Sequence, residues 1–289
     1  MARKRQRKSR SVKTPPGGKI AARPCATASE PRRNVGALAA FSWGGLFVCS
    51  FLAALFIAWH LLAQAHFFYG IWYDVLAIDK TVAEYGPGNR NRDGFGGTDK
   101  REHQRLFAAI VIAIHDDGAG LESLEYRDPQ NNVLGTFLTE AEIVHLRDVA
   151  ALVSKVNVLG TVVIAVVLAL LALIVVQSLP PPSLPRFHVA AAVVITAVIA
   201  LTLNFGAEKT FYAMHAWVFP PDHQWFFYYR DSLMSTFMQA PNLFGYIALV
   251  LAGLALLLYI AWIVGLTRAL RRRARRIDPI GLTDDSVGR

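Results

Sequence analysis

Long apolar stretches separated by blocks of charge dominate the pattern of this chain. Four of them are close to 20 residues long, the length that an α-helix needs to cross a bilayer core of roughly 30 Å. They cover residues 36–62, 156–178, 187–204 and 244–266. The pattern therefore predicts an all-α membrane protein with four transmembrane helices.

The segment between the first two spans is long enough to fold into a small cap. After Asp99, apolar residues recur at every third or fourth position, which predicts an amphipathic helix. Two short runs rich in β-forming residues, 124–127 and 133–138, flank a turn at Asp128-Pro-Gln-Asn-Asn132, and this arrangement predicts a β-hairpin. We expect an α+β cap between helices 1 and 2.

Basic residues are concentrated in the two tails. Residues 1–33 carry eleven Lys or Arg against one acid, and residues 268–289 carry seven Arg against three acids, whereas residues 67–155 carry nine basic and fourteen acidic residues. Because Lys and Arg beside a span are retained in the cytoplasm, we expect both termini to be cytoplasmic and the cap to be extracytoplasmic.

The predicted parts are a basic disordered tail (1–34), the first span (36–62), the cap (63–155), the second span (156–178), the third span (187–204), an outer aromatic loop (205–243), the fourth span (244–266) and a basic tail (267–289).

The composition narrows the classes of partner and cofactor. The net charge of +9 belongs mostly to the tails, where topology and anionic lipid explain it, so we expect membrane lipids and no nucleic acid as partners. The chain has two cysteines without a CxxC pair, and it has no phosphate loop, HExxH or GxSxG motif. We therefore expect no cofactor and no metal.

Two histidines stand in unusual segments beside the spans. His145 follows Thr139-x-x-Glu142, a capping box that predicts the start of a helix running into the second span. Glu142 and Asp148 each lie three residues from His145 and so share its helical face. A carboxylate that accepts a hydrogen bond from one imidazole nitrogen fixes the tautomer and leaves the other nitrogen as a base. An ordinary polar helix face is the alternative.

His215 lies among the aromatic residues of the outer loop, close to Tyr212 and Trp217. This placement just outside a bilayer core favours a desolvated, neutral imidazole. The alternative is an interfacial histidine that hydrogen-bonds lipid headgroups or loop backbone.

Together the two segments resemble the paired signatures of the lipoprotein intramolecular transacylase (Lit) type of bacterial membrane protein. The matching runs are Glu142-x-x-His145-Leu-x-Asp148-Val and Phe211-x-x-x-His215-x-x-x-Phe219, supported by Trp225 and by Leu233 through Pro241. The match covers roughly residues 137–245. The long basic tails and the longer cap depart from the pattern of the family.

The resemblance implies a membrane acyltransferase of the bacterial cytoplasmic membrane. Such enzymes move an acyl chain within a diacylglyceryl lipoprotein from glycerol to the amine of the N-terminal cysteine, with His145 and His215 as the catalytic pair. Amide formation from an ester needs a base, an acid and a donor for the oxyanion. Arg230, Tyr212 and backbone amides near Pro220 are candidates for the donor. Base and acid are not assigned between the histidines, and the oligomeric state stays open.

Two other classes of function compete with this one. A haem-binding protein would use histidines at one membrane depth: His60 or His66 facing His215, with His188 at the other end of the third span. A non-catalytic membrane scaffold or assembly protein would bind a partner through the cap. Replacing His145 or His215 should leave a scaffold working and inactivate a transacylase.

Overall fold

The computed structural model describes residues 30–180 and 207–277, and the regular secondary structure in these ranges is helical apart from one two-stranded sheet. Strands β1 (Glu125–Arg127) and β2 (Val133–Thr136) pair antiparallel, which confirms the predicted hairpin. The helices, in chain order, are α1 (Glu30–Gln64), α2 (Tyr69–Val75), α3 (Ile78–Tyr85), α4 (Lys100–His115), α5 (Glu140–Val176), α6 (Ala207–Val218), α7 (Leu233–Met238) and α8 (Asn242–Ile277).

Three of these helices are long and apolar enough to cross a membrane, namely α1, α5 and α8. The candidate spans are Gly36–Gln64, Glu140–Val176 and Asn242–Arg273, and they contain three of the four predicted spans almost completely. The predicted third span, residues 187–204, lies outside the described residues. Helix α5 also confirms that the helix bearing His145 continues without a break into the second span.

Helix α1 packs against both α5 and α8 within the candidate spans. The ring of Phe56 on α1 packs directly against the backbone of α5 at Gly160, in the space that a side chain at position 160 would occupy. Small residues allow this close packing, which replaces the hydrophobic effect as the main source of helix association in lipid. On the other side of α1, the indole of Trp262 donates a hydrogen bond to the hydroxyl of Ser50 at 3.1 Å.

The cap has its own apolar core, built around the amphipathic helix α4. The side chain of Asp99 caps this helix by accepting a hydrogen bond from the backbone N–H of Glu102. The ring of Phe107 stacks on Tyr69 with 4.3 Å between centroids. The predicted stripe of α4 is buried as expected, at Leu106, Phe107, Ile110, Val111 and Ile114.

Three short helices were not predicted. Helices α2 and α3 occupy the start of the cap, and α7 lies within the segment that we expected to be a loop. All six residues of α7 are buried, and its Phe237 carbonyl accepts a hydrogen bond from the Tyr69 hydroxyl at 2.9 Å. Helices of six to eight residues have too few turns to produce a clear helical period in sequence.

Replacing Gly160 by alanine should destabilise the protein. The added Cβ would clash with the Phe56 ring, and overpacking of this kind costs about 1–3 kcal/mol. Gly253→Ala in α8 is the matched control, since its Cβ would meet no atom within 4 Å and alanine is the better helix former. Thermal unfolding in detergent should show a lower Tm for Gly160→Ala alone. Equal Tm values for the two variants would contradict the packing.

Acid should destabilise the cap through His103, which is 1% exposed. Burial lowers its pKa from 6.5 to about 4. The neutral ring accepts from the Tyr73 hydroxyl at Nδ1, and its Nε2–H donates to Thr98, which itself donates to a carbonyl. Because the unfolded chain binds this proton more readily, stability is complete above pH 6.5 and is lost as the pH falls toward 4, by about 3 kcal/mol.

The test compares unfolding free energies at pH 7 and pH 4.5 for the wild type, His103→Asn and His66→Gln. His66 is exposed, so its variant should keep the pH dependence of the wild type. His103→Asn should lose most of that dependence. An unchanged dependence in His103→Asn would show that other groups cause the acid sensitivity.

Candidate active site

His145 lies in the second turn of α5, and the start of this helix is fixed by Thr139 and Glu142. The Glu142 backbone N–H donates to the Thr139 hydroxyl at 3.4 Å, and the Glu142 carboxylate accepts from the Thr139 N–H at 2.6 Å. The predicted capping box is therefore confirmed. Glu142 is completely buried, so it is part of the interior and not of a solvated polar face.

The same carboxylate reaches a second helix. The hydroxyl of Ser232 donates to Glu142 Oε1, and it accepts the backbone N–H of Ser235 at 2.8 Å, which caps α7. One buried carboxyl group thus joins the amino ends of α5 and α7. Both ends carry the positive side of a helix dipole, which favours a negative charge there.

His215 lies in α6, with a tautomer that its surroundings define. Its Nδ1 is 2.8 Å from the carbonyl oxygen of Phe211. Because a carbonyl only accepts hydrogen bonds, Nδ1 carries the hydrogen and Nε2 carries the lone pair. Burial lowers the pKa of His215 below its usual 6.5, although the hydrogen bond to Phe211 acts in the opposite direction. The ring is therefore a neutral base at pH 7.

The structure brings the two histidines together. Their ring centroids are 6.2 Å apart, and each side chain belongs to a residue that is only 8% exposed. Phe219 packs against both rings, at 4.9 Å from His145 and 5.2 Å from His215. Trp225 covers His215 at 5.3 Å, and Phe227 lies 6.0 Å from His145. The pair is enclosed by aromatic rings.

His145 has an unusual feature within this enclosure. Its Nδ1 is buried and has no hydrogen-bond partner among the described residues. A buried polar atom without a partner costs about 1–3 kcal/mol, and such atoms in native structures are found where a ligand or a reacting group binds. The nitrogen therefore has a hydrogen-bonding capacity that no described residue uses.

The sequence suggested that Asp148 orients His145. Among the described residues, Asp148 instead makes its side-chain hydrogen bond to another part of the chain. Its Oδ2 lies 2.6 Å from Nδ1 of His223, which donates to it from the loop after α6. This hydrogen bond raises the pKa of His223 above its usual 6.5. His223 was not among the predicted residues, because it lies 75 positions from Asp148 and its own segment carries no recognisable motif.

Tyr212 and Arg230, the predicted supporting residues, occupy different places. The ring of Tyr212 packs on Trp225 and Phe226, with centroids at 6.0 and 5.7 Å, so it lies one ring away from His215. Arg230 is exposed, and its carbonyl accepts the backbone N–H of Arg90 at 2.8 Å. Among the described contacts, none joins Arg230 to either histidine.

A loop of the cap ties together the two segments that flank the site. Arg92 donates to the carbonyls of Thr136 and Leu138, just before α5, at 2.5 and 2.6 Å. Its neighbour Asn91 donates from its side chain to the carbonyl of Asp231 at 2.7 Å. These bonds could not be predicted from the sequence, since they go to backbone atoms, which leave no mark in it.

The histidines proposed as alternative haem ligands lie elsewhere. His60 has its ring 6.0 Å from His115, and His66 is exposed. Both nitrogens of His115 are used, since Nε2 accepts from Trp59 and Nδ1–H donates to the Val111 carbonyl. Within residues 30–180 and 207–277, no three His, Cys, Asp or Glu side chains form a group that could hold a metal, and His188 is outside these ranges.

Comparison with known proteins gives one family and several solved structures. The family described as lipoprotein intramolecular transacylase Lit matches residues 45–244. Two similar structures are variants of the membrane integral lipoprotein intramolecular transacylase Lit from Bacillus cereus. The variant with histidine replaced by arginine has a TM-score of 0.60 at 13% identity, and the variant with histidine replaced by alanine has 0.57 at 14%. Each alignment covers 86% of this chain and 100% of the other. No curated protein matches the chain.

At these identities the structural likeness establishes the fold, and the family match carries the assignment. The matched segment spans most of the 289 residues and includes the second half of α1, the cap, α5 and both histidines. The resemblance seen in the two short histidine segments is confirmed over this much longer range. This membrane protein belongs to the lipoprotein intramolecular transacylase (Lit) family.

Proposed function

We propose that this protein transfers an acyl chain within a diacylglyceryl lipoprotein, from a glycerol oxygen to the amine of the N-terminal cysteine. The observation that carries the proposal is the enclosed pair of imidazoles, His145 and His215, whose centroids are 6.2 Å apart. Membership of the family and the transacylase activity named for the Bacillus cereus protein support the same reaction.

In this reaction His215 is the base. The hydrogen on Nδ1 is held by the Phe211 carbonyl, so the lone pair on Nε2 takes the proton that the amine loses as it attacks the ester carbon. The new N–C bond forms as the C–O bond to glycerol breaks. The proton then passes from the imidazolium to the glycerol oxygen, and both histidines end the cycle neutral.

His145 supplies the hydrogen bond for the charge that develops on oxygen. With a hydrogen on Nδ1, the atom that has no partner among the described residues, its ring donates to the oxyanion or to the departing glycerol oxygen. A neutral imidazole is suited to this task because it can donate without giving up its proton. A preorganised donor of this kind in a dry site contributes about 3–4 kcal/mol to transition-state stabilisation.

The aromatic rings that enclose His145 and His215 form an aromatic wall, which serves to exclude water. Rings of Phe211, Phe219 and Trp225 lie between 3.8 and 5.3 Å from the ring of His215. A water molecule at the site would compete with the amine for the ester and release a free fatty acid. The low exposure of both histidines therefore favours transfer to the amine over hydrolysis.

The substrate enters from the lipid, at the outer leaflet in the orientation that we propose, with both termini in the cytoplasm. The face of α6 that does not carry His215 presents Met214 and Trp217, and Trp217 is 87% exposed. Tryptophan prefers the depth of the lipid headgroups. This anchor would hold His215 at the level where the glycerol esters of a lipoprotein lie.

Expression in a bacterium that lacks this activity tests the proposed function. Fragmentation mass spectra of lipoprotein N-terminal peptides should show one acyl chain moved to the cysteine nitrogen, while the total mass stays unchanged. His145→Ala and His215→Ala should reduce this product about 100-fold or more, since each removes a proton-transfer or hydrogen-bonding group.

The exposed His66 provides the matched control, and His66→Gln should keep wild-type activity. Lipopeptides that remain unmodified with well-expressed wild-type protein would overturn the proposal. Full activity in both alanine variants would instead favour a role as a scaffold.

Removing the carboxylate of Glu142 should disturb the site without touching the substrate. Glu142→Ala leaves the Thr139 amide and the Ser232 hydroxyl without their shared acceptor, which should cost about 3 kcal/mol or more. Glu140, in the same first turn but exposed, gives the control Glu140→Ala. Thermal unfolding and the lipopeptide assay should both be impaired in Glu142→Ala only. Wild-type values for this variant would exclude the structural role.

A further inference from the structure

We infer that Asp148 and His223 form a latch that holds the aromatic wall against the catalytic pair, and that His223 is a positioning residue of the reaction. The aromatic loop is the part of the chain between α6 and α7 that comprises residues 219–228. The inference rests on the proposed function for its catalytic consequence, while the latch itself is a property of the protein without substrate.

The aromatic loop supplies much of the enclosure. Phe219, Trp225 and Phe227 provide four of the ring contacts to His145 and His215, with centroid distances from 4.9 to 6.0 Å. If this loop moved outward, both histidines would be exposed to water. Its position therefore sets both the shape and the dryness of the site.

The two ends of the loop are held independently of its middle. At the start, the Phe219 N–H donates to the His215 carbonyl. Beyond the end, Asp231 pairs with Arg90 at 3.1 Å, and Ser232 donates to Glu142. These contacts fix where the loop begins and where it finishes, but they do not press its centre against α5.

At the centre, the hydrogen bond from His223 to Asp148 is the one directional contact to α5 that the described residues contain. The other hydrogen bonds of the centre stay within the loop, from His223 N–H to the Pro220 carbonyl and from Gln224 to the Phe226 carbonyl. The hydrophobic contacts of the rings are much less directional than a hydrogen bond, so the bond to Asp148 specifies the register of the loop.

The position of Asp148 makes the latch relevant to catalysis. It lies three residues after His145, so the two side chains project from one face of α5 with roughly 5–6 Å between their Cβ atoms. The latch thereby fixes the position of the aromatic loop relative to α5, the helix that carries one catalytic histidine. At 2.6 Å between nitrogen and oxygen, the bond has the length of a strong, charge-assisted contact.

Hydrogen–deuterium exchange on the full-length protein in detergent tests the latch directly. In His223→Ala and in Asp148→Ala, peptides covering residues 219–228 should exchange faster, while the cap core and the Tm stay as in the wild type. Gln224→Ala is the matched control, because Gln224 is exposed in the same loop and bonds only within it. Unchanged exchange in both latch variants would overturn the inference.

Kinetics test the consequence for the reaction. Loss of the latch should lower kcat by about 10-fold to 100-fold, the range expected when a small misplacement disturbs a preorganised site, with a smaller change in KM. His223→Asn should restore most of the activity, since its amide N–H takes the position of Nδ1. The double variant Asp148→Ala/His223→Ala should be no worse than either single one.

Additive losses in the double variant, or a His223→Asn protein as poor as His223→Ala, would overturn the positioning role. The exchange measurement needs no substrate, so it decides on the latch even if the lipopeptide assay finds no transacylation. A failed proposed function and a failed latch are thus distinguishable.

Discussion

The buried carboxylate of Glu142 is the interaction on which the site depends. It joins the Thr139 cap of α5 to the Ser232 cap of α7, and α7 is embedded in the core of the cap. Removing a carboxylate from water costs several kcal/mol unless hydrogen bonds replace its hydration. Here these bonds come from two helix ends, so the buried carboxyl group has all its hydrogen bonds only when both helices are in place. His145 lies one turn after Glu142 on α5, so the same contacts fix its position.

Three further links, each made of hydrogen bonds, connect the other parts of the site. Arg92 and Asn91 connect the segment before α5 to the segment before α7, and Asp148 connects α5 to the aromatic loop. Each link joins parts of the chain that are far apart in sequence. The enclosure of His145 and His215 is thus a property of the assembled cap and not of either segment alone.

The sequence predicted the features that local patterns encode. The capping box at Thr139, the amphipathic helix after Asp99 and the hairpin all have periods or spacings that the structure confirms. The i, i+3 spacing of His145 and Asp148 correctly gave a shared helical face, but the partner of Asp148 is His223, 75 residues away. Such a pairing depends on tertiary packing, as does the burial of the six-residue helix α7, and neither leaves a periodic signal in the chain.

The proposed reaction explains why so simple a site is sufficient. In an intramolecular transfer the amine and the ester belong to one molecule, and such proximity is worth effective concentrations of about 10⁵–10⁸ M. The site therefore needs no covalent intermediate to hold the acyl chain. It needs an uncharged base, a donor for the oxyanion and the exclusion of water. A buried histidine with its Nδ1 hydrogen held by a carbonyl, as in His215, is a base because burial keeps it neutral, so the same aromatic wall that excludes water also maintains the charge state that the chemistry requires.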